Sequence, residues 1–206
     1  VRLTYYDASN GGWCEFDRTL PMLPSFVRSG MTTAIAEPWA GGSYDGSFGQ
    51  ACGECWEVAT SFGAQIVMVH DLCPIEGNPL CAGAHFHFDL SEESASVLGD
   101  QGLIEGAARA VPCPVEGNIH VSISNWNQWG YLRAAFVNHR VPILSADIRM
   151  APDGPWIPFE RSGGAWNVVD GPSFADGSGA GVSFRFTSAE GAVVTSSTVV
   201  PFRETS

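Results

Sequence analysis

Apolar and polar residues alternate one for one in "NIHVSIS", where Ile119, Val121 and Ile123 share one face of the chain. That period of two predicts a strand with one side buried. Five more stretches of the same kind follow at short spacing: "YLRAAFV", "ILSADIRM", "AWNVV", "GVSFRFTS" and "AVVTSSTVV". Gly, Pro, Asp and Asn separate them, so this half of the chain reads as a small antiparallel β-sandwich of about ninety residues. Within it, "DGPSFADGSGAG" reads as a loop.

The first half is also strand-rich, in "CWEVAT", "AQIVMVHDL" and "AHFHFDL". One helix is expected from Ser91 to Leu98, with Ser91 as N-cap and Glu92 and Glu93 in the first turn, where the helix dipole favours acids. A second short helix is expected over Gly102 to Arg109. The stretch from Pro112 to Asn118 supplies the Pro and Gly of a linker, which divides the chain into residues 1–115 and 116–206.

Cysteine placement supports the same division. All six cysteines, Cys14, Cys52, Cys55, Cys73, Cys81 and Cys113, precede the linker's end. Cys52 and Cys55 have the CxxC spacing of a zinc or redox motif, but a second CxxC and a matching His are missing. Three disulfides are the preferred reading, and they imply an oxidising compartment and secretion. A signal peptide is expected to have been removed or never present, because Val1 runs directly into a charged, structured-looking segment.

Charge narrows the partners. The net charge is −12 and all ten cations are arginine. A nucleic-acid binder would want the opposite sign, and anionic membranes or pectin would be repelled on average. No run of ~18 apolar residues offers a transmembrane helix. A neutral ligand fits best.

The chain has no G-x-S-x-G elbow and no Walker lysine, which argues against a nucleophilic triad and a phosphate loop. What remains are carboxylates at strand ends, Asp7, Asp71 and Asp89. An inverting glycosidase needs an acid and a base ~6.5–9.5 Å apart. The runs before Asp71 and Asp89 could pair in one sheet and bring both acids to one cleft. An Asp at a strand end is, taken singly, more often a turn or cap. Trp126, Trp129, Tyr131 and Trp166 are candidates for a sugar-stacking face, while Trp156 is assigned to the core. The five histidines are read as structural, and neither His85 nor His87 has a metal-ligand set.

The order and spacing of "ACGECWEV", "VMVHDLCP", "CAGAHFHFDLS" and "ARAVPCP" resemble the barrel domain of expansins. "GNIHVSISNWNQWGYLRAAFVNHRVPI" resembles the start of the expansin carbohydrate-binding domain, its "VNHRVPI" being similar to the bacterial branch. The resemblance implies a mainly β protein: a six-stranded double-psi β-barrel over 1–115 and an immunoglobulin-like β-sandwich over 116–206. It implies the disulfides Cys14–Cys52, Cys55–Cys113 and Cys73–Cys81. It maps the groove residues to Asp89, Asp71, Thr4 and Tyr6, and matches Asp89 to the general acid of the related family 45 endoglucanases. The implied function is secreted, extracellular loosening of cell walls through contact with cellulose and matrix β-glucans, by a monomer without cofactor, metal or appreciable hydrolysis.

Some residues depart from the pattern. Asp7 stands where expansins usually have glycine, and "YYD" resembles the "Tyr-Trp-Asp" that carries the base of the family 45 hydrolases. Against this, "ASNGGWC" follows where those hydrolases commonly have further cysteines. Bacterial relatives have two adjacent aromatics where this chain has Gly130-Tyr131 and another where it has Gly164; Trp166 sits where plant relatives place a tryptophan. A rearranged platform of Trp129, Tyr131 and Trp166 is therefore expected. The alternatives are an inverting endo-β-1,4-glucanase and a barwin-like polysaccharide binder with neither activity.

Overall fold

The structure is a computed structural model that describes residues 1–8, 12–16, 18–43, 48–171 and 181–196. The first part of the chain forms β1 (Arg2–Tyr6), α1 (Ser25–Arg28), β2 (Thr32–Ala36), β3 (Cys55–Ala59), β4 (Ala64–Cys73), β5 (His87–Ser91), α2 (Glu92–Leu98), β6 (Ile104–Glu105) and β7 (Ala107–Val111). Its strands make one curled sheet in the order β6-β1-β5-β2-β4-β3-β7. The sheet is mixed: β1 with β5 and β2 with β4 run parallel, and the other pairs are antiparallel. It counts seven hydrogen-bonded strands where six were expected, with the short β6 pairing at one edge.

Period-two alternation explains how β5 serves both core and site. Phe88 and Leu90 enter the barrel core with Leu3, Ile35, Val58, Val67 and Val69. His87, Asp89 and Ser91 point to the other face. Each large side chain fully withdrawn from water contributes about 1.5–3 kcal/mol. β2, buried at every position, is the floor of the curl.

Ser91 caps α2 as expected, its hydroxyl accepting from the Ser94 backbone N–H at 3.2 Å, with Glu92 and Glu93 in the first turn. The helix expected over Gly102 to Arg109 is absent. Those residues form β6 and β7 instead, and Ala107 to Val111 pair antiparallel with Ala59 to Cys55. An intrinsic helix preference of a few tenths of a kcal/mol per residue yields to completed strand pairing.

The second part contains β8 (His120–Trp126), β9 (Leu132–Val137), β10 (Ile143–Met150), β11 (Ile157–Pro158), β12 (Glu160–Ser162), β13 (Ala165–Val168), β14 (Val182–Ser188) and β15 (Val193–Thr195). They form two four-stranded antiparallel sheets, β11-β10-β14-β15 and β12-β13-β9-β8. Between them lies a core of Leu132, Phe136, Ile148, Phe159, Trp166, Phe184 and Phe186. The loop read from "DGPSFADGSGAG" lies mostly outside the described residues.

The two parts share buried surface. Ala135 and Val137 of β9 pack with Cys14, Phe16, Cys52 and Val115 in one cluster. Arg133 of β9 forms an ion pair with Glu15, and the guanidinium of Arg161 donates to the Gly49 carbonyl at 2.9 Å. The β12–β13 turn, Gly163-Gly164, rests on Trp13: a Cβ at Gly164 would meet the Trp13 carbonyl oxygen at 2.4 Å and the Cys14 Cα at 2.7 Å. Only glycine fits there, which accounts for the missing aromatic at that position.

Candidate functional site

The acids meet across one small residue. Ala34 in β2 pairs with Asp71 on its β4 side and with Asp89 on its β5 side. Asp71 and Asp89 are therefore two strand spacings apart, roughly 10 Å between Cα atoms. Ala34 packs with Ala36 and the disulfide-bonded Cys73 and Cys81 in an apolar floor, against which Tyr6 and Trp39 also pack. The Cys73 sulfur lies 3.8 Å from Asp89 Oδ2.

Parallel pairing of β1 with β5 supplies the other side chains, in the register Arg2 with His87, Thr4 with Asp89 and Tyr6 with Ser91. The Thr4 hydroxyl donates to Asp89 Oδ1 at 2.6 Å, and Tyr6 O–H donates to Asp71 Oδ2 at 2.9 Å. Two backbone N–H groups complete Asp71: Trp13 donates to its Oδ1 at 2.6 Å and Leu72 at 2.8 Å. Three donors thus converge on Asp71, whereas among the described residues Thr4 is the one side-chain donor to Asp89, whose Oδ2 lies over the Cys73 sulfur.

The electrostatics set Asp89 apart from an ordinary carboxyl. Burial over the disulfide floor pushes the Asp89 carboxyl above the usual carboxylate range; the Thr4 hydrogen bond opposes this and the Asp71 charge adds to it. Burial, then the Asp71 charge, also raises the Tyr6 hydroxyl, which stays a donor. Asp89 therefore holds a proton more readily than an ordinary carboxyl does.

The resemblance-derived set Asp89, Asp71, Thr4 and Tyr6 therefore forms two hydrogen-bonded pairs, Thr4 with Asp89 and Tyr6 with Asp71, on the strands either side of Ala34. Asp7 lies outside it: it follows the end of β1 and is exposed. Two members escaped the sequence reading. The sequence reads His87 as structural, yet its Nε2 is 2.9 Å from the Thr4 hydroxyl, and Arg2 Nε–H donates to its Nδ1 at 2.9 Å. The signal was present: two-residue steps put His87 on the face of Asp89 and Arg2 on the face of Thr4. Trp13 was missed too; its ring meets exposed Phe48 edge-on at a centroid distance of 5.1 Å.

The structure divides the expected platform. Trp129 is 75% exposed, at a turn where Asn127 Oδ1 accepts from the N–H groups of Trp129 and Tyr131. Tyr131 is half-buried, and Trp126 leans against the sandwich core. Trp166 corrects the expectation: it is 5% exposed, packs on Phe136, and carries the Arg161 guanidinium 4.0 Å above its ring. A ring so covered has no face for a sugar. Trp156, assigned to the core, is instead half-buried between Arg149 and Arg185, 4.5 and 4.7 Å from its ring centre.

All three disulfides have the pairing that the resemblance implies, Cys14–Cys52, Cys55–Cys113 and Cys73–Cys81. The sulfurs of Cys73 and Cys81 and a carboxylate oxygen of Asp89 lie within 4.8 Å of one another. A disulfide offers no thiolate to a metal, so this grouping is a floor and not a ligand set.

A family model described as EXPB1-like domain 1 matches residues 2–120. The chain belongs to the expansin family. Curated relatives include expansin-like protein 5 of Dictyostelium discoideum, 26% identical over 165 residues, covering 77% of this chain and 64% of that protein. Expansin-B17 of rice (Oryza sativa subsp. japonica) is 27% identical over 185 residues, covering 81% of this chain and 62% of that protein. This chain thus spans less than two thirds of these relatives. The expansin of Clavibacter michiganensis has the same fold, with a TM-score of 0.71 at 24% identity over 95% of this chain and 87% of the other. A variant of it has been solved in complex with cellohexaose.

Proposed function

We propose that this expansin is a secreted protein that grips cellulose and matrix β-glucans along the face bearing Asp89 and loosens cell walls without appreciable hydrolysis. One observation carries the reading. Of the two acids facing each other across Ala34, Asp89 receives one side-chain hydrogen bond among the described residues, from Thr4 to Oδ1, while Asp71 is held by Tyr6, Trp13 and Leu72. Inverting hydrolysis needs a second carboxylate that activates a water. A carboxylate saturated by protein donors is built to stay in place and orient its neighbours.

The remaining elements support the same reading. Tyr6 and Trp13 adjoin Asp71, Phe48 meets the Trp13 ring, and sugar rings stack on aromatic faces. Trp129 with Tyr131 gives a second aromatic contact on the sandwich, and residues 1–115 and 116–206 act as the two domains of one glucan-binding unit. Disulfides suit an extracellular wall, and among the described residues no helix is long and apolar enough to cross a membrane. At −12 net charge the protein should act as a monomer on neutral glucans, without nucleic acid, membrane or cofactor. The test is paired: cellulose-paper weakening or wall extension, and reducing-sugar release from soluble β-glucan. Weakening without sugar release is expected; sugar release that disappears in Asp89→Asn would transfer the reading to the family 45 endoglucanase type.

A further inference from the structure

We propose that Arg2 and His87 are positioning residues that fix the direction of the hydrogen bond on Asp89, so that Oδ1 is permanently an acceptor and any proton Asp89 carries resides on Oδ2. The proposal deepens the reading of Asp89 as the acid that meets the glucan, and rests on it.

Donor chemistry leaves one arrangement. A guanidinium has no acceptor and does not deprotonate, so Arg2 Nε–H donates to His87 Nδ1, 2.9 Å away. A ring nitrogen that accepts bears no proton, so the neutral imidazole carries its hydrogen on Nε2. Nε2 lies 2.9 Å from Thr4 Oγ1. If the Thr4 hydroxyl donated to Nε2, both ring nitrogens would be bare and the ring would be an imidazolate. Nε2–H therefore donates to Thr4 Oγ1, and the single Thr4 proton goes to Asp89 Oδ1 at 2.6 Å. The relay runs one way, from Arg2 through His87 and Thr4 to Asp89.

His87 must stay neutral for this to hold. It is buried, and burial followed by the Arg2 charge keeps its pKa down to about 4. The other groups near Asp89 leave the direction intact. Asp71 on β4 is an acceptor already supplied by three donors, Tyr6 gives its proton to Asp71, and the Cys73–Cys81 disulfide carries none. The consequence is functional: Oδ2, the oxygen Thr4 does not engage, is the one offered to a glucan hydroxyl or glycosidic oxygen.

Nuclear magnetic resonance on isotopically labelled protein tests this without any glucan. Long-range proton–nitrogen spectra at about pH 5 to 8, where an ordinary histidine changes charge, should show an imine-type Nδ1 and a protonated Nε2 on His87 throughout. A protonated Nδ1 would overturn the proposal. Arg2→Met releases Nδ1, lets the ring accept from Thr4, and should raise the Asp89 titration by about one to two pH units, the effect of one lost hydrogen bond to the charged form. Arg2→Lys, again donor-only, should return it towards the original value. In a Thr4→Val background Arg2→Met should add nothing; an undiminished shift there would mean Arg2 acts by its field alone, and the relay would be wrong. Should Arg2→Met fail to fold, the tautomer in the unmodified protein and in Arg2→Lys still decides. Loss of the wall-loosening reading would leave these spectra unchanged, so the two failures are distinguishable.

Discussion

Asp71 and Asp89 face the same residue, Ala34, from the two strands that flank it, yet they differ in what binds them. Asp71 is immobilised by one hydroxyl and two backbone donors; Asp89 has a single side-chain donor, Thr4, above a disulfide floor. The two acids thus share one small neighbour and differ in the donors that hold them.

That asymmetry predicts a trade between stability and function at Asp89. Its folded-state pKa is raised, so the folded protein binds this proton more tightly than the unfolded chain. The contribution is fully present below the ordinary carboxylate value and is lost as pH rises through the raised one. Asp89→Asn, which keeps an acceptor for Thr4 and needs no charge, should raise the melting temperature at neutral pH while abolishing paper weakening. The gain should shrink as pH falls towards the ordinary value of 3.8. A lower melting temperature at neutral pH would contradict the assignment of burial as the leading cause.

His139 predicts the opposite limb of the pH profile. It is buried beside Gly53 where the two parts meet, one ring nitrogen donating to the Val141 carbonyl at 2.9 Å. Burial depresses its pKa from 6.5 to about 4. Its neutral form thus supports stability above pH 6.5, and that support drains away between there and about pH 4, by up to about 3 kcal/mol. His139→Asn, able to keep the donor to Val141, should flatten the fall of melting temperature across that window. An unchanged acid limb would locate the pH sensitivity at the other depressed histidines, His70 and His87.

Gly164 is expected to be intolerant of any side chain, because a Cβ would press on the Trp13 carbonyl and Cys14 Cα. Gly164→Ala should cost roughly 1–3 kcal/mol, as overpacking does, read by thermal or denaturant unfolding. Gly77 offers a control: it has nothing within 4 Å of its own Cβ position, although its positive φ carries a separate strain. An unchanged unfolding midpoint in Gly164→Ala would show that contact with Trp13 and Cys14 does not exclude a side chain there.

Much of this was legible in the sequence where the signal was local. Period-two runs located β4, β5, β9, β10 and β14, and Ser91 with two following acids marked the start of α2. Pairing was not local: Ala107 to Val111 became a strand only because β3 presents it an open edge. The site divides the same way. Asp89 and Asp71 were recognisable from their motifs, whereas the relay through Arg2 and His87 required knowing that β1 and β5 lie parallel and in register. For Trp166, spacing could not distinguish a ring under an arginine from a ring open to sugar, since both faces of a strand accept tryptophan.

Trp129 and Trp166 are expected to fail in different ways when truncated. Trp129 is three-quarters exposed, so Trp129→Ala should leave the melting temperature nearly unchanged and weaken cellulose pull-down. Trp166→Ala empties a core position lined by Phe136 and lying beneath Arg161, and should cost about 3–5 kcal/mol with binding lost only as far as folding is lost. Because net charge is −12 and stacking carries the contact, pull-down by the unmodified protein should change little with added salt, which screens exposed charges beyond a Debye length of about 10 Å at 0.1 M. A steep fall in binding with salt would place the contact on arginines instead. If Trp129→Ala binds as well as the parent, the sandwich platform is not the anchor, and the aromatic contact belongs to the barrel pair Trp13 and Phe48.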